Sequence, residues 1–126
     1  MIIDSDVLIW YSRAHPKAVE FIHSLESFSI SAVTYMEILQ GVRNKAELNA
    51  FKKALTILNA DVIQISELIS TKAILFVEEY SLSHSMQLAD ALIGATAIVQ
   101  QKTLITANDK HYQYLPRIKI QKFEVS

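Results

Sequence analysis

The sequence predicts an α/β fold, a three-layer α/β/α sandwich with a central, mostly parallel sheet. Short apolar runs alternate with longer segments of helical periodicity along the whole chain. Strands that alternate with helices are typical of parallel crossover connections. The chain has 126 residues, which suits one hydrophobic core, and no repeat or linker divides it. We therefore expect residues 1–126 to form a single domain.

The first part of the chain is predicted to hold two strands and four helices. Residues 1–4 and 28–31 are short apolar runs and indicate strands. Ser5 or Asp6 can cap the first helix, and Pro16 is well placed to begin the second because its fixed φ suits a first helical turn. Two further helices, the second clearly amphipathic, are expected at residues 32–43 and 45–59.

The second part is predicted to hold three strands and two helices. Residues 61–65 indicate the third strand, and Ser66 opens a long helix with apolar residues at helical spacing. Residues 86–101 form a helix that is apolar on most sides, which is typical of a largely buried helix. The fourth strand is expected at residues 103–106, and residues 118–123 alternate as a short fifth strand.

The composition excludes several classes of protein. Cysteine is absent, which excludes disulfide frameworks, zinc ribbons and thiol nucleophiles. No apolar run approaches the roughly 20 residues that span a bilayer, so we expect a soluble, cytoplasmic protein with no membrane contact. The net charge is only −1. Any nucleic acid would therefore be held by a local patch, by bound cations or by a partner chain.

Several kinds of catalytic site are also excluded. Gly41 and Gly94 are the only glycines, and neither lies in a loop that could cradle a phosphate. No Gly-x-Ser-x-Gly motif is present, and the four histidines lack the paired spacing of zinc ligands. The carboxylates remain as the candidates for chemistry.

Three aspartates follow predicted strands at one edge of the sheet. Asp4 and Asp6 follow the first strand, and Asp109 follows the fourth. Open parallel sheets bind ligands at the carboxyl ends of their strands, so this is the correct edge for a site. Asp90 stands in an apolar stretch of a predicted buried helix, where an ionised carboxylate is costly unless it is paired or metal-bound. The pattern indicates a cation site.

Most of these acids also have a purely structural interpretation. Asp6 can simply cap the first helix. The segment from Thr34 to Glu37 fits a capping box, in which Glu37 would only satisfy backbone donors. Asp61 can be a solvated residue at the start of a strand, and Asp109 can be an ordinary turn residue.

Taken together, four segments resemble the motifs of PIN domains. They carry an acid closing the first strand, a second acid on a helix, a third before a helix of small residues, and a strand ending in Thr106 with polar residues beyond it. In chain order the segments are residues 4–9, 31–41, 88–97 and 104–112. The resemblance covers essentially the whole chain, and the short length is similar to that of the VapC toxins of toxin–antitoxin pairs.

This resemblance implies a metal-dependent endoribonuclease that uses one or two Mg²⁺ or Mn²⁺ ions and leaves a 5′-phosphate and a 3′-hydroxyl. Asp4 and Asp90 would be the core ligands, with Glu37 and Asp109 binding directly or through water, because hard divalent cations prefer carboxylate oxygen and water. The fourth acid of many family members lies two residues after the threonine. That position is Asn108 here, so the fourth role falls to Asn108 or Asp109.

Supporting residues and partners are implied in the same way. Thr106 and Asn108 could orient a ligand water or the scissile phosphate, with Asp6 as a supporting or capping residue. VapC-like proteins generally form homodimers and are inhibited by an antitoxin segment in a groove near the site. Four residues either line such a groove or belong to the core: Trp10, Tyr11, Phe51 and Leu55. By sequence proximity to the motifs, the candidates for RNA backbone contacts are Arg13, Arg43, Lys45, Lys110 and His111.

Two other functions compete with the ribonuclease interpretation. Asp4 and Asp6 also suit a haloacid-dehalogenase-like phosphotransferase, with Asp4 as nucleophile and Asp6 as acid and base. That family normally continues with Gly-Thr, where this chain has Val7-Leu8. A non-enzymatic receiver-like module would need its phosphoacceptor at the end of the third strand, whereas Asp61 begins that strand.

Overall fold

The computed structural model describes residues 1–125 and contains one five-stranded sheet. All neighbouring strands are parallel, in the order β3-β2-β1-β4-β5, which confirms the predicted sheet. The strands are β1 (Ile2–Ile3), β2 (Phe28–Ser31), β3 (Ala60–Ile63), β4 (Leu104–Thr106) and β5 (Ile120–Lys122). Strand β1 lies at the centre, between β2 and β4.

Helices cover both faces of the sheet and complete the three layers. They are α1 (Ser5–Ser12), α2 (Pro16–His23), α3 (Ala32–Gly41), α4 (Lys45–Ile57), α5 (Glu67–His84) and α6 (Leu88–Gln100). A short 3₁₀ turn, η1, follows β4 at Asp109–His111. Among residues 1–125 no helix combines the length and the apolar character that a membrane crossing requires.

Two apolar clusters form the core, one on each side of the sheet. Successive strand residues point to opposite faces. Ile2 and Leu104 therefore join the cluster under α5 and α6, while Ile3 and Ile105 join the cluster under α1, α2 and α4. Helix α6 is largely buried, as predicted, and its buried residues run from Ala91 to Ala97.

The predicted caps of α1 and α3 are wrong. Neither Ser5 nor Asp6 caps α1, since Asp4 is its N-cap and accepts a hydrogen bond from the Ser5 N–H. Thr34 does not begin α3 either. Strand β2 runs straight into this helix, so Ser31 is its N-cap and Thr34 is fully buried inside it. Because no capping box forms at Thr34, Glu37 is left free for another role.

The strand and helix bounds differ from the prediction by at most two residues. Strand β3 is found at Ala60–Ile63 rather than 61–65, because only those four residues pair with β2. Helix α4 ends at Ile57, just before Asn59, which adopts a positive φ of 57°. Helix α6 begins at Leu88 rather than residue 86.

Candidate metal centre

Two of the predicted site segments lie at the carboxyl ends of the neighbouring strands β1 and β4. Asp4 directly follows β1, and the segment after Thr106 directly follows β4. From β1 the chain adds β2 and β3 on one side of the sheet, and it then adds β4 and β5 on the opposite side of β1. The direction of the topology therefore switches between β1 and β4. Such switch points open a crevice, which is where open α/β sheets bind ligands.

Asp4 is the most buried acid of this crevice. Its side chain is only 5% exposed. One carboxylate oxygen accepts the Ser5 N–H at 2.7 Å, and the other accepts hydroxyl groups from Thr106 at 2.8 Å and Tyr112 at 3.0 Å. Burial, and then the neighbouring charge of Asp6, raise the pKa of Asp4 to about 6 against the opposing effect of these hydrogen bonds.

Asp6 ties α1 to the segment that follows β4. Its Oδ2 accepts the Ala107 N–H at 2.9 Å and the Asn108 side-chain amide at 3.1 Å. Thr106 Oγ1 lies 3.4 Å from the same oxygen. Burial raises the pKa of Asp6, and the hydrogen bonds from Ala107 and Val7 oppose that rise. Asp6 is therefore not a helix cap but a cross-link that fixes Asn108 beside the crevice.

The hydroxyl of Tyr112 joins Asp4 to Asp90. It lies 3.0 Å from Asp4 Oδ2 and 3.2 Å from Asp90 Oδ1, and the side chain is almost fully buried. Burial raises the pKa of Tyr112 above its usual range, and the charges of Asp4 and Asp90 raise it further, so the phenol remains a neutral donor. A phenol has one proton and donates to one carboxylate at a time. Sequence reasoning gave Tyr112 no role.

Asp90 lies nearer to solvent than the sequence indicated. It belongs to the first turn of α6, and its side chain is 21% exposed, since the buried part of the helix begins only at Ala91. A carboxylate in the first turn is stabilised by the helix dipole. Its Oδ2 lies 3.1 Å from Nδ1 of His111. Burial by itself therefore does not require Asp90 to be paired or metal-bound, and what agrees with the predicted pair is its contact with the Tyr112 hydroxyl that also contacts Asp4.

Glu37 reaches the crevice through Ser5. The Ser5 hydroxyl donates to Glu37 Oε1 at 2.7 Å and lies 3.1 Å from the Thr34 hydroxyl. Ser5 also donates its N–H to Asp4, so this one residue contacts both acids. The sequence predicted Ser5 only as a possible cap of α1 and gave it no role in the site. The signal was its position between Asp4 and Asp6.

Asn108 and Asp109 occupy different surroundings. Asn108 contacts Asp6, as described, whereas Asp109 in η1 lies 3.9 Å from the ammonium group of Lys122 on β5. Among residues 1–125 no three histidine, aspartate or glutamate side chains are arranged so that together they could hold an ion. The acids are instead joined in pairs, Asp4 to Asp90 through Tyr112 and Asp4 to Glu37 through Ser5.

The predicted RNA-contact residues fall into two groups. Lys110 and His111 belong to η1 at the mouth of the crevice and are exposed. Arg13 and Arg43 line a groove on the other side of α1, where Arg43 forms an ion pair with Glu47 at 2.8 Å. Lys45, which begins α4, is exposed beyond this groove.

That groove has a volume of about 730 Å³ and lies between α1, α3 and α4. Tyr11, Phe51 and Leu55 line it, but Leu55 is also buried in the cluster under α1, α2 and α4, and the two aromatic rings pack against that cluster, so both interpretations of these residues hold. Trp10 does not line it and packs edge-on against His15, with ring centroids 5.1 Å apart. Glu37 also lines the groove, which therefore reaches the acids of the crevice.

The geometry disfavours both rival functions. In a dehalogenase-like enzyme Asp6 would exchange protons with substrate, but its Oδ2 already accepts from Ala107 and Asn108. In a receiver-like module the phosphoacceptor aspartate, for which Asp61 is the candidate, would lie at the end of the third strand. Asp61 is instead the second residue of β3, exposed, and hydrogen-bonded to Ser29. The strand order also differs from the 2-1-3-4-5 order of flavodoxin-like folds.

Comparison with known proteins identifies the family. The sequence profile of the PIN domain matches residues 1–117. The chain belongs to the PIN domain family. Among its relatives, Ribonuclease VapC19 of Mycobacterium tuberculosis (strain ATCC 25618 / H37Rv) is 31% identical, covering 91% of this chain and 94% of the relative. Ribonuclease VapC10 of the same strain is 29% identical, covering 94% of this chain and 90% of the relative.

Solved structures of similar fold agree with this assignment. A chain of a toxin–antitoxin complex from Klebsiella pneumoniae superposes with a TM-score of 0.78 at 25% identity, covering 99% of this chain and 97% of that chain. A chain of VapBC-1 from nontypeable Haemophilus influenzae gives a TM-score of 0.80 at 20% identity, covering 96% of each chain, and supports the fold alone.

Proposed function

We propose that this PIN-domain protein is a metal-dependent endoribonuclease and the toxin of a toxin–antitoxin pair. The observation that carries the proposal is the pairing of Asp4 with Asp90 through the Tyr112 hydroxyl, at the switch point of a parallel sheet. The chain is also similar to two proteins named as VapC ribonucleases over nearly its whole length. Acting on cellular RNA, the protein would work in the cytoplasm.

The donor set of the crevice fits one or two hard divalent cations. Asp4 and Asp90 would be the core ligands, and Glu37 would contribute directly or through water. Mg²⁺ keeps several of its own waters and needs only one or two protein carboxylates, so a pair of acids suffices. Burial and the charge of Asp6 raise the pKa of Asp4, and a bound cation would offset both effects by stabilising the carboxylate. When bound, Mg²⁺ or Mn²⁺ supplies an activated water and neutralises charge on the phosphate.

The surrounding residues would orient the reacting groups. Thr106 donates to Asp4 and keeps that carboxylate turned toward the crevice. Asn108, held by Asp6, has an exposed side chain beside the crevice and is suited to orient a water or a phosphate oxygen. Between the two candidates for the fourth role we favour Asn108, because Asp109 lies beside Lys122. Lys110 and His111 would contact the RNA backbone next to Asp90.

The groove between α1, α3 and α4 would take a segment of the antitoxin. Tyr11, Phe51 and Leu55 give it an apolar floor, and an aromatic-lined groove suits a helical or extended apolar segment. A segment that fills it would reach Glu37 and therefore block the crevice. Phe51→Glu should weaken inhibition by a co-expressed antitoxin while leaving cleavage intact. Equal inhibition of the variant would place the antitoxin elsewhere.

The exposed face of α5 would form a homodimer interface. Leu68, Leu75 and Leu82 are 63%, 52% and 98% exposed and recur every seven residues along one side of the helix. Such a stripe is typical of a helix that packs against another helix. Sedimentation of the wild type and of Leu75→Glu should give a dimer and a monomer. A wild type that is monomeric at high concentration would refute the dimer.

The ribonuclease proposal is tested by cleavage of a structured RNA pool. Purified protein is incubated with Mg²⁺ or Mn²⁺, with and without excess chelator, beside Asp90→Asn. We expect cutting that leaves 5′-phosphates, stops with chelator and is lost in the variant. Asp61→Asn is the matched control, since Asp61 is exposed on β3 and hydrogen-bonded to Ser29, away from Asp4 and Asp90. Chelator-resistant cutting, or equal loss in both variants, would refute the proposed centre.

A further inference from the structure

Three aromatic rings gather at the end of α5, beside the acids of the crevice. Tyr80 and His84 lie one turn apart on α5, and Tyr114 follows the turn that contains Tyr112. The rings of His84 and Tyr114 are stacked, with centroids 4.2 Å apart and planes 23° from parallel. Tyr80 packs against both, at 5.5 Å from His84 and 4.9 Å from Tyr114.

The outer ring of this stack is not part of the core. Tyr80 and Tyr114 are half-buried against the apolar cluster under α5 and α6, whereas His84 is exposed. The Ser83 hydroxyl lies 2.7 Å from His84 Nδ1, which fixes the orientation of the imidazole. An oriented, exposed ring on two supporting rings offers a flat π surface to solvent.

The stack adjoins the acid pair. Tyr114 is two residues from Tyr112, whose hydroxyl contacts Asp90. Burial raises the pKa of Tyr114, and the negative charge of Asp90 raises it further, as expected for a phenol close to that carboxylate. Nδ1 of His111 lies 3.1 Å from Oδ2 of Asp90. An RNA strand that crosses Asp90 therefore has basic η1 residues and the aromatic stack within its reach.

Resting on the ribonuclease function proposed above, we propose that the His84–Tyr114 stack is a platform for one base of single-stranded RNA, next to the phosphate that is cleaved. Proteins bind unpaired bases by stacking them on aromatic side chains. Stacking accepts any base, because each has a π face, and contributes on the order of tenfold or more in affinity. The platform would thus favour unpaired over duplex RNA and help to position the strand.

The test measures RNA binding separately from cleavage. A fluorescein-labelled, single-stranded 20-mer RNA of random sequence is titrated with Asp4→Asn protein in Mg²⁺, and anisotropy is followed. On that background His84→Ala is expected to weaken binding about tenfold, and His84→Phe should restore it to within about twofold because phenylalanine keeps the ring. His23→Ala is the matched control, since His23 is also exposed, ends helix α2 and packs against a tyrosine.

The same substitutions in the wild-type background separate binding from chemistry. We expect His84→Ala to raise KM for cleavage of the RNA pool with little change in kcat, and melting temperatures to stay equal because His84 is exposed. The proposal is overturned if His84→Ala binds like its parent, if His84→Phe is as weak as His84→Ala, or if the parent does not bind the 20-mer. Binding that depends on His84 in a protein that cuts no RNA would instead refute the ribonuclease function and leave the platform standing.

Discussion

The burial of Asp4 should destabilise the metal-free protein at neutral pH. Its pKa is raised from the ordinary 3.8 to about 6, mainly by burial and then by the charge of Asp6. An acid with a higher pKa in the folded state binds more protons when folded, so stability falls as pH rises from about 4 through about 6 and stays low above that range. The difference in pKa corresponds to about 3 kcal/mol at pH 7.

Asp4→Asn should therefore stabilise the metal-free fold while abolishing cleavage. The amide has the same shape and no charge, but its oxygen must stay where Oδ1 accepts the Ser5 N–H, so its NH₂ group replaces Oδ2 and both hydroxyls that donate to Oδ2, of Thr106 and Tyr112, must accept or turn away. Once the cost of the lost hydrogen bonds is subtracted, we expect the unfolding free energy of the variant to exceed that of the wild type by about 1–3 kcal/mol at pH 7.5. At pH 4, where Asp4 is protonated, we expect no such gain. The corresponding rise in Tm is on the order of 5–10 °C.

The assay is urea unfolding of the wild type and the variant in chelator, from pH 4 to pH 8. Glu79→Gln controls for the loss of one negative charge, because Glu79 is exposed on α5 and should give no comparable gain. Adding Mg²⁺ or Mn²⁺ at pH 7.5 should then stabilise the wild type and not Asp4→Asn, since the ligand binds only the charged centre. The reasoning would be refuted if the unfolding free energies of the wild type and Asp4→Asn, plotted against pH, ran parallel across the whole range.

Two further sets of substitutions test the packing and the acid pairs. A Cβ at Gly94 would lie 2.6 Å from the end of the buried Leu115 side chain, which must shift at a cost of about 1–3 kcal/mol, while alanine gains about 0.5–1 kcal/mol over glycine inside a helix, so Gly94→Ala should lose at most about 2 kcal/mol of unfolding free energy. Gly41→Ala meets nothing within 4 Å at the end of α3 and should be neutral or slightly stabilising in the same urea assay. Equal losses would contradict the close packing of α6. Ser5→Ala frees Glu37, so RNA cleavage should fall on the order of tenfold while stability changes by less than about 1.5 kcal/mol. Unchanged cleavage by this variant would show that Glu37 is not part of the metal centre.

The fold was predictable because its signals are local. Alternating strands and helices required parallel crossovers, and these brought the ends of β1 and β4 together at one edge. That edge placed Asp4 and Asp6 beside the segment after Thr106 before any contact was known. The apolar positions of α4 likewise predicted its amphipathic face, where Leu55 is buried in the core and Phe51 packs against it.

The predictions that failed depend on three-dimensional contacts. The role of Tyr112 rests on a loop that folds back between two acids 22 and 108 residues away, and nothing in its local sequence shows this. The predicted cap of α3 was wrong because β2 enters this helix without a loop, so the N-cap is Ser31 at the end of the strand. Asp90 was misjudged because apolar neighbours on a helix do not reveal that its first turn is open to solvent.

The central claim is that Asp4 and Asp90 together hold the divalent cation that makes this protein cut RNA. It is tested most directly by titrating Mn²⁺ into the wild type and Asp90→Asn, with bound metal followed by electron paramagnetic resonance and RNA cleavage followed in the same samples. Binding and cleavage should rise together in the wild type, and both should be weakened by at least about tenfold in the variant. Mn²⁺ binding of equal strength in the two proteins, or cleavage by wild type that holds no metal, would contradict the account.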